Sequence, residues 1–234
     1  MVERLDFSDA ALALAQAFEP DSDLCGPFVA AIGVTGAAVS TLGDPLGSET
    51  ICVTDDSAAQ WDEIQIDLGE GPCWEALSTR LPVFEPDLQH SSETSWPLAR
   101  QALCETGLAA VFAFPLVVAG INVGAIDLYS RVSGAMSSRQ VADAGLLSTI
   151  LARQVLRRSL LAVESEDEDA GSSAGDYSRR EVHQATGMVL AQMGITPVDA
   201  LLVLRGHAFA SGRPVRDIAA DVVARTLDFT AFDN

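Results

Sequence analysis

Apolar residues dominate two extended runs, "AAVFAFPLVV" at 109–118 and "INVGAIDLYS" at 121–130, joined only by Ala119 and Gly120. Runs of that length across a two-residue, glycine-containing connection predict a hairpin of two central strands. Upstream, "GAAVSTLG" (36–43) and "SETICVTD" (48–55) read as two further strands around the turn "GDPLG". Helical spacing marks "SDAALALAQAF" (8–18) and "DLCGPFVAAI" (23–32). Ser137 and Ser138 are placed to cap a helix over 138–163, where Val141, Ala144, Leu147, Ile150, Leu151 and Val155 recur at helical intervals. An antiparallel sheet flanked by helices predicts an α+β unit of sensor type.

The pattern changes after residue 163. "ESEDEDAGSSAGD", residues 164–176, combines an acidic run with Gly, Ser and Ala and has no large apolar residue, so it reads as a solvated, flexible linker. Three amphipathic helices follow in 177–234. The first, over about 177–193, places Val182, Ala185, Val189 and Met193 on one face and ends at Gly194. Thr196 caps the second, with Pro197 in its first turn, Asp199 completing the cap and Leu201, Leu204 and Ala208 as its inner stripe. Gly212 stops it, and Pro214 opens a third helix with Val215, Ile218, Ala219 and Val222 inward. The expected organisation is a sensor unit at 1–163, a linker at 164–176 and an all-α three-helix bundle at 177–234. A core of about 55 residues is small enough that dimerisation would help it.

Charge sharpens this division. The 234 residues carry a net charge of −19, yet residues 177–234 hold six arginines against six acids, so the whole excess lies upstream. All 14 basic residues are arginine. A chain without lysine has no P-loop lysine, no kinase strand lysine and no Schiff-base amine, which removes those chemistries. The acidic carboxylate pairs lie in the linker or at a strand end without a nearby histidine, and no hydrolase, metalloprotease or calcium-loop motif occurs, so no enzyme activity is expected. The first residues contain acids and lack a signal-peptide core, and no segment gives about 18 uninterrupted apolar residues, so the expected setting is cytoplasmic, away from any membrane. Cys25, Cys52, Cys73 and Cys104 form no C-x-x-C pair and read as buried reduced thiols.

On the first C-terminal helix, Arg180, His183, Gln184, Gly187 and Ala191 share the face opposite the apolar stripe. A glycine inside a helix costs about 1 kcal/mol relative to alanine. Close approach of another backbone, a helix or a nucleic acid, is the usual reason for one. The stretch "REVHQATGMVLAQMGITPVDALLVLRGHAFASGRPVRDIAADVV", residues 180–223, resembles the ANTAR domain, a three-helix RNA-binding module of bacterial transcription antiterminators. The match includes Val182, Ala185 and Gly187 of the first helix, with Thr186 standing where many members carry lysine; Arg179, Arg180, Arg205 and Arg213 are placed to supply that charge. The resemblance implies binding of a two-stem RNA with small loops, often as a dimer, to prevent a terminator from forming. Arginine forks, histidine and glutamine suit unstacked loop bases and bent phosphates.

The upstream phrases "DLGEGPCWEAL", "PVFEPDL", "WPLARQALCETGLAAVFAFPL" and "GAIDLYS" resemble a GAF domain, the sensing or dimerisation module found fused to ANTAR modules. That resemblance implies a possible small-molecule ligand and no catalysis; GAF ligands range from cyclic nucleotides to haem, and the cofactor here is unknown. Trp61, Cys73, Trp74 and Trp96 are the candidates for lining such a site, against the alternative that tryptophans and a small cysteine are core. Gly71 and Pro72 predict a helix start at Cys73, where the helix dipole would lower the thiol pKa and an exposed thiol would sense redox state. His90, the one upstream histidine, sits in a polar loop and reads as solvated rather than as a haem ligand. The expected function is a signal-responsive antitermination regulator; the alternative is a ligand- or protein-binding regulator whose C-terminal bundle serves only dimerisation.

Overall fold

The structure is a computed structural model describing residues 5–19, 21–43, 46–91, 95–166 and 174–230, with the side chains of 162–180 outside the description. The chain order is α1 (Phe7–Ala15), α2 (Gly26–Ile32), β1 (Gly36–Thr41), β2 (Glu49–Val53), α3 (Asp56–Leu68), α4 (Pro72–Thr79), β3 (Val83–Glu85), α5 (Pro97–Glu105), β4 (Ala110–Val118), β5 (Ile121–Ser130), α6 (Ser138–Glu166), α7 (Ala174–Met193), α8 (Pro197–Ser211) and α9 (Val215–Val223). Two compact units divide it, Met1–Asp169 and Ala170–Asn234. The ends of the stretch expected as a linker are helical, 164–166 in α6 and 174–176 in α7, and 167–173 lie outside the described residues.

In the first unit β4 and β5 pair as the expected hairpin, closing from Val118–Ile121 across Ala119 and Gly120. Both turn residues have positive φ, 49° and 83°, the backbone that fits a two-residue connection to the twist of the strands. The sheet is antiparallel throughout, in the order β2-β1-β5-β4-β3, so β5 is its middle strand and is buried on both faces. Alternation along β5 sends Ile126 and Leu128 to the face covered by α1, α2 and α6, where Leu14, Phe28, Leu147, Leu151 and Val155 pack. Ala125, Asp127 and Tyr129 point to the opposite face, under α3, α4 and α5.

Local chemistry moves several boundaries. The helix expected from residue 23 begins at Gly26, with Cys25 at the capping position and Pro27 in the first turn, and the Asp23 side chain just upstream accepts from the backbone N–H groups of Cys25 (2.9 Å) and Gly26 (2.8 Å). Helix α3 hides its periodicity: its buried residues, Ala58, Trp61, Asp62 and Gln65, have helical spacing but mixed polarity. The cysteine expectation is corrected. Cys25 and Cys52 form a disulfide that ties the start of α2 to edge strand β2, with a Cα–Cα distance of 6.3 Å across a separation of 27 residues; Cys73 and Cys104 are free. No spacing rule shows that a helix start and a strand will meet. Closing a loop of that length restricts the unfolded chain by about 3.5 kcal/mol, so reduction with dithiothreitol, or Cys52→Ser, should lower the urea midpoint of this unit accordingly, and an unchanged midpoint would contradict it.

The second unit is the three-helix bundle. Ala185, Val189, Leu204, Ile218, Ala219 and Val222 are fully buried in it, with Val182 and Met193 packed at its edge. Thr196 caps α8 by accepting from Asp199 N, and Gly212 ends it in the left-handed region, φ 63°. The inner stripe of α8 is corrected in one place. Ala200, not Leu201, joins Leu204 and Ala208 inside, because the cap at Thr196 sets the helix phase and leaves Leu201 half-buried. After α9 the chain folds back: Phe229 donates its N–H to Gln192 Oε1 (3.1 Å), is 2% exposed, and stacks edge-on against His207 with centroids 5.4 Å apart. Among the described residues no single helix is long and apolar enough to cross a membrane.

Candidate functional site

Helix α7 displays the expected face. His183, Gln184, Gly187 and Ala191 are all exposed, on the side away from Ala185 and Val189. A Cβ built on Gly187 would meet nothing within 4 Å, so no described part of the chain fills the space that this glycine leaves. Thr186 is half-buried, and its hydroxyl donates to Val182 O (2.7 Å), which turns it to its own helix rather than outward. The side chains of Arg179 and Arg180 lie outside the described residues, although the backbone there is helical. Arg205 is half-buried on α8, while Arg213 sits just past α8 and pairs with Asp221 at 2.7 Å. The four small or polar residues of α7 are therefore one surface; Arg205 and Arg213 belong to another helix and to the α8–α9 junction.

The sensor unit buries Trp61, Cys73 and Trp96 of the four residues expected to line a ligand site, and half-buries Trp74. Trp61 is fully buried, edge-on to Tyr129 with centroids 6.3 Å apart, and Trp96 is 3% exposed with its indole N–H donated to Glu75 (2.5 Å). Trp74 is half-buried and donates to Gln65 O (2.8 Å). A surface cleft of about 260 Å³ includes Trp96, Glu75, Thr79, Pro82, Phe84 and Glu85; a second, of about 390 Å³, lies between Arg80, Pro115, Val117 and the small face of α6 at Gly145, Ser148 and Thr149. Trp61 and Cys73 line neither. His90 is exposed and pairs with Asp87 at 3.0 Å, holding that carboxyl below its ordinary value mainly through the hydrogen bond.

Cys73 stands in the first turn of α4 as expected, but the expected lowering of its thiol pKa is reversed. It is completely buried; that burial first, and the Asp127 and Asp62 carboxylates second, push the thiol well above its ordinary value. The effect of the helix start is outweighed because desolvation of a thiolate costs more than a partial dipole returns.

Those two acids belong to an interior polar cluster that the apolar pattern did not show. Asp62 on α3 accepts from the Ser40 hydroxyl at 2.6 Å and from the Thr50 hydroxyl. Asp127 on β5 accepts from Gln65 Nε2 at 2.8 Å through Oδ2, and its Oδ1 is buried without a hydrogen-bond partner. Gln65 also accepts from Cys73 N at 3.0 Å, so one side chain joins α3, α4 and β5. Gly71 makes room for it: with φ 136°, a Cβ there would lie 2.6 Å from Gln65 Oε1. Burial raises Asp62 from 3.8 to about 6 against the lowering effect of its two hydroxyl donors, and raises Asp127 well above its usual range. An acid at the centre of an otherwise apolar strand, with Asp62 and Gln65 flanking Trp61's face on a helix, is the signal that sequence reading passed over.

Comparison with known proteins gives these two units their names. A GAF domain model matches residues 5–157 and an ANTAR domain model residues 177–223. No curated protein matches the chain. Among solved structures, the GAF domain of a phosphoenolpyruvate-protein phosphotransferase from Coxiella burnetii is 13% identical over 67% of this chain and 94% of its own, with a TM-score of 0.53. The chromophore-binding domain of a bacteriophytochrome from R. palustris is 13% identical over 66% of this chain and 61% of its own, with a TM-score of 0.49. The first of these likenesses shows the fold alone. The family models cover both units, and the chain belongs to the GAF domain family with a C-terminal ANTAR domain, the architecture of a GAF-controlled, antiterminator-type RNA-binding regulator.

Proposed function

We propose that this protein is a signal-responsive antitermination regulator that binds a two-stem, two-loop RNA through the α7 face, under control of its GAF unit. The observation that carries the reading is the exposed track of His183, Gln184, Gly187 and Ala191, with open space over a glycine that costs helix stability. Gly187→Ala is expected to stabilise the bundle by about 0.5–1 kcal/mol, since it removes backbone freedom and meets no neighbour, and at the same time to weaken RNA binding. Thermal melting and RNA titration on one sample read both signs; unchanged affinity would remove Gly187 from the interface.

The direct test titrates the full-length protein against a two-stem, two-loop RNA and a loop-scrambled control across a salt series, with Arg180→Ala alongside. Loop-dependent binding, lost in the variant and falling about 20-fold between 50 and 200 mM salt for about three phosphate contacts, is the expected result. A second reading has an observation of its own. Helix α8 exposes Val198 (78%), Leu202 (65%) and Phe209 (56%), an apolar stripe suited to self-association. If the bundle serves dimerisation alone, RNA binding will be absent while concentration-dependent association persists in high salt.

A further inference from the structure

The sensor interior holds two carboxyl groups that the RNA-binding reading does not use. Asp62 and Asp127 come from facing elements and are 1% and 2% exposed. They are unequally satisfied. Both oxygens of Asp62 have hydroxyl donors, whereas Asp127 has the single amide of Gln65 and leaves Oδ1 with nothing. The charges that act on them are all negative. Glu63 acts on Asp62, Asp62 acts on Asp127, and both acids act on the Cys73 thiol. Along α3, α4, β1, β2, β4 and β5 the other ionisable residues are Glu49, Asp56, Asp67, Glu75 and Tyr129, whose hydroxyl donates to Asp55 (2.7 Å); α5, packed on α3, adds Cys104, Glu105 and Arg100, and Arg100 is paired with Glu85 (3.5 Å), so neither Asp62 nor Asp127 has a cation partner. A buried carboxylate pair without a cation is among the most expensive arrangements in a protein interior.

Neither of the two clefts described above is lined by Asp62, Asp127 or Gln65. The ligand that fits a closed pair of acids with an unsatisfied oxygen and no cation partner is a proton. We propose that Asp62 and Asp127 form a proton-operated latch that seats the α3–α4 layer on the sheet. With the proton in place the pair carries less charge and Gln65 bridges β5, α3 and the start of α4. When the proton leaves, two like charges face one another across the layer, and Asp127 Oδ1 draws in water beside Cys73 and Gln65, which loosens α4. The input of the GAF unit is then pH; this last clause rests on the RNA-regulator reading, the latch itself does not.

The test follows intrinsic tryptophan emission and acrylamide quenching of the full-length protein from pH 5 to 9. Trp61, Trp74 and Trp96 report on this layer, since Trp74 is bonded to Gln65 and Trp61 lies one residue before Asp62 on α3. A single transition with its midpoint well above the ordinary carboxyl range is expected, with quenching rising about twofold as the layer opens. Asp127→Asn should abolish the transition and keep the low-pH emission throughout. Asp62→Asn should instead shift it to lower pH, because a negative neighbour that opposes ionisation of Asp127 is gone. A flat wild-type profile, or the same transition in both variants, overturns the latch. RNA binding measured on the same samples separates the two readings. A pH dependence present in the wild type and missing in Asp127→Asn ties the latch to output, whereas a full emission transition with no RNA binding at any pH leaves the latch standing and overturns the RNA-regulator reading.

Discussion

Leu204→Ala is expected to unfold the RNA-binding unit while the sensor unit melts as before. Leu204 is completely buried at the centre of α8, in a core whose other buried residues include four alanines, Ala185, Ala200, Ala208 and Ala219. Truncating a buried leucine costs about 2–5 kcal/mol through lost burial and the cavity left behind. A unit of this size has only about 3–5 kcal/mol to lose. Circular dichroism of the full-length variant should therefore lose the helical transition belonging to α7–α9, and RNA binding should go with it. Retention of both transitions would mean that the bundle draws stability from elsewhere. The exposed stripe of α8 supplies a specific alternative, since a bundle stabilised by a second copy would melt at a temperature that rises with protein concentration.

The parts of the structure that were legible in the sequence are those where one local rule dominates. The β4–β5 hairpin announces itself because two apolar runs meet across Ala119 and Gly120, and the three C-terminal helices because Thr196, Gly194 and Gly212 mark their ends. Helix α3 was hidden for the opposite reason. Its inward face mixes Ala58 and Trp61 with Asp62 and Gln65, so an apolar count sees no stripe although the burial has helical spacing. Strand β3, three residues long, is too short to establish alternation and is fixed by pairing with β4 from Val83–Ala113 to Glu85–Val111. The Cys25–Cys52 bond and the meeting of Asp62 with Asp127 depend on contacts between elements that spacing along the chain does not encode. On the candidate RNA face, periodicity correctly grouped His183, Gln184, Gly187 and Ala191; it could not show that Thr186 bonds back to Val182 or that Arg213 is held by Asp221.

The stability of the sensor unit is expected to fall as pH rises from about 4 to beyond 6. Burial lifts Asp62 to about 6 in the folded unit, against an unfolded value near 4. The folded state therefore binds more protons than the unfolded state across that interval. The stabilisation is complete below the unfolded value and is lost as pH climbs through the folded one, about 3 kcal/mol for a carboxyl moved from 3.8 to about 6. Asp127, raised further by burial and by Asp62, continues the loss to higher pH with the same sign. Urea midpoints measured at intervals from pH 4 to 8 should show this decline, and Asp127→Asn should flatten its upper part and make the unit more stable than wild type at pH 8. Repulsion within a chain of net charge −19 also grows with pH, but exposed charges are screened within about 3 Å in 1 M salt, whereas two carboxyls buried together are not. A slope above pH 6 that survives high salt and is lost in Asp127→Asn therefore belongs to the interior pair, and a slope that salt removes belongs to the surface.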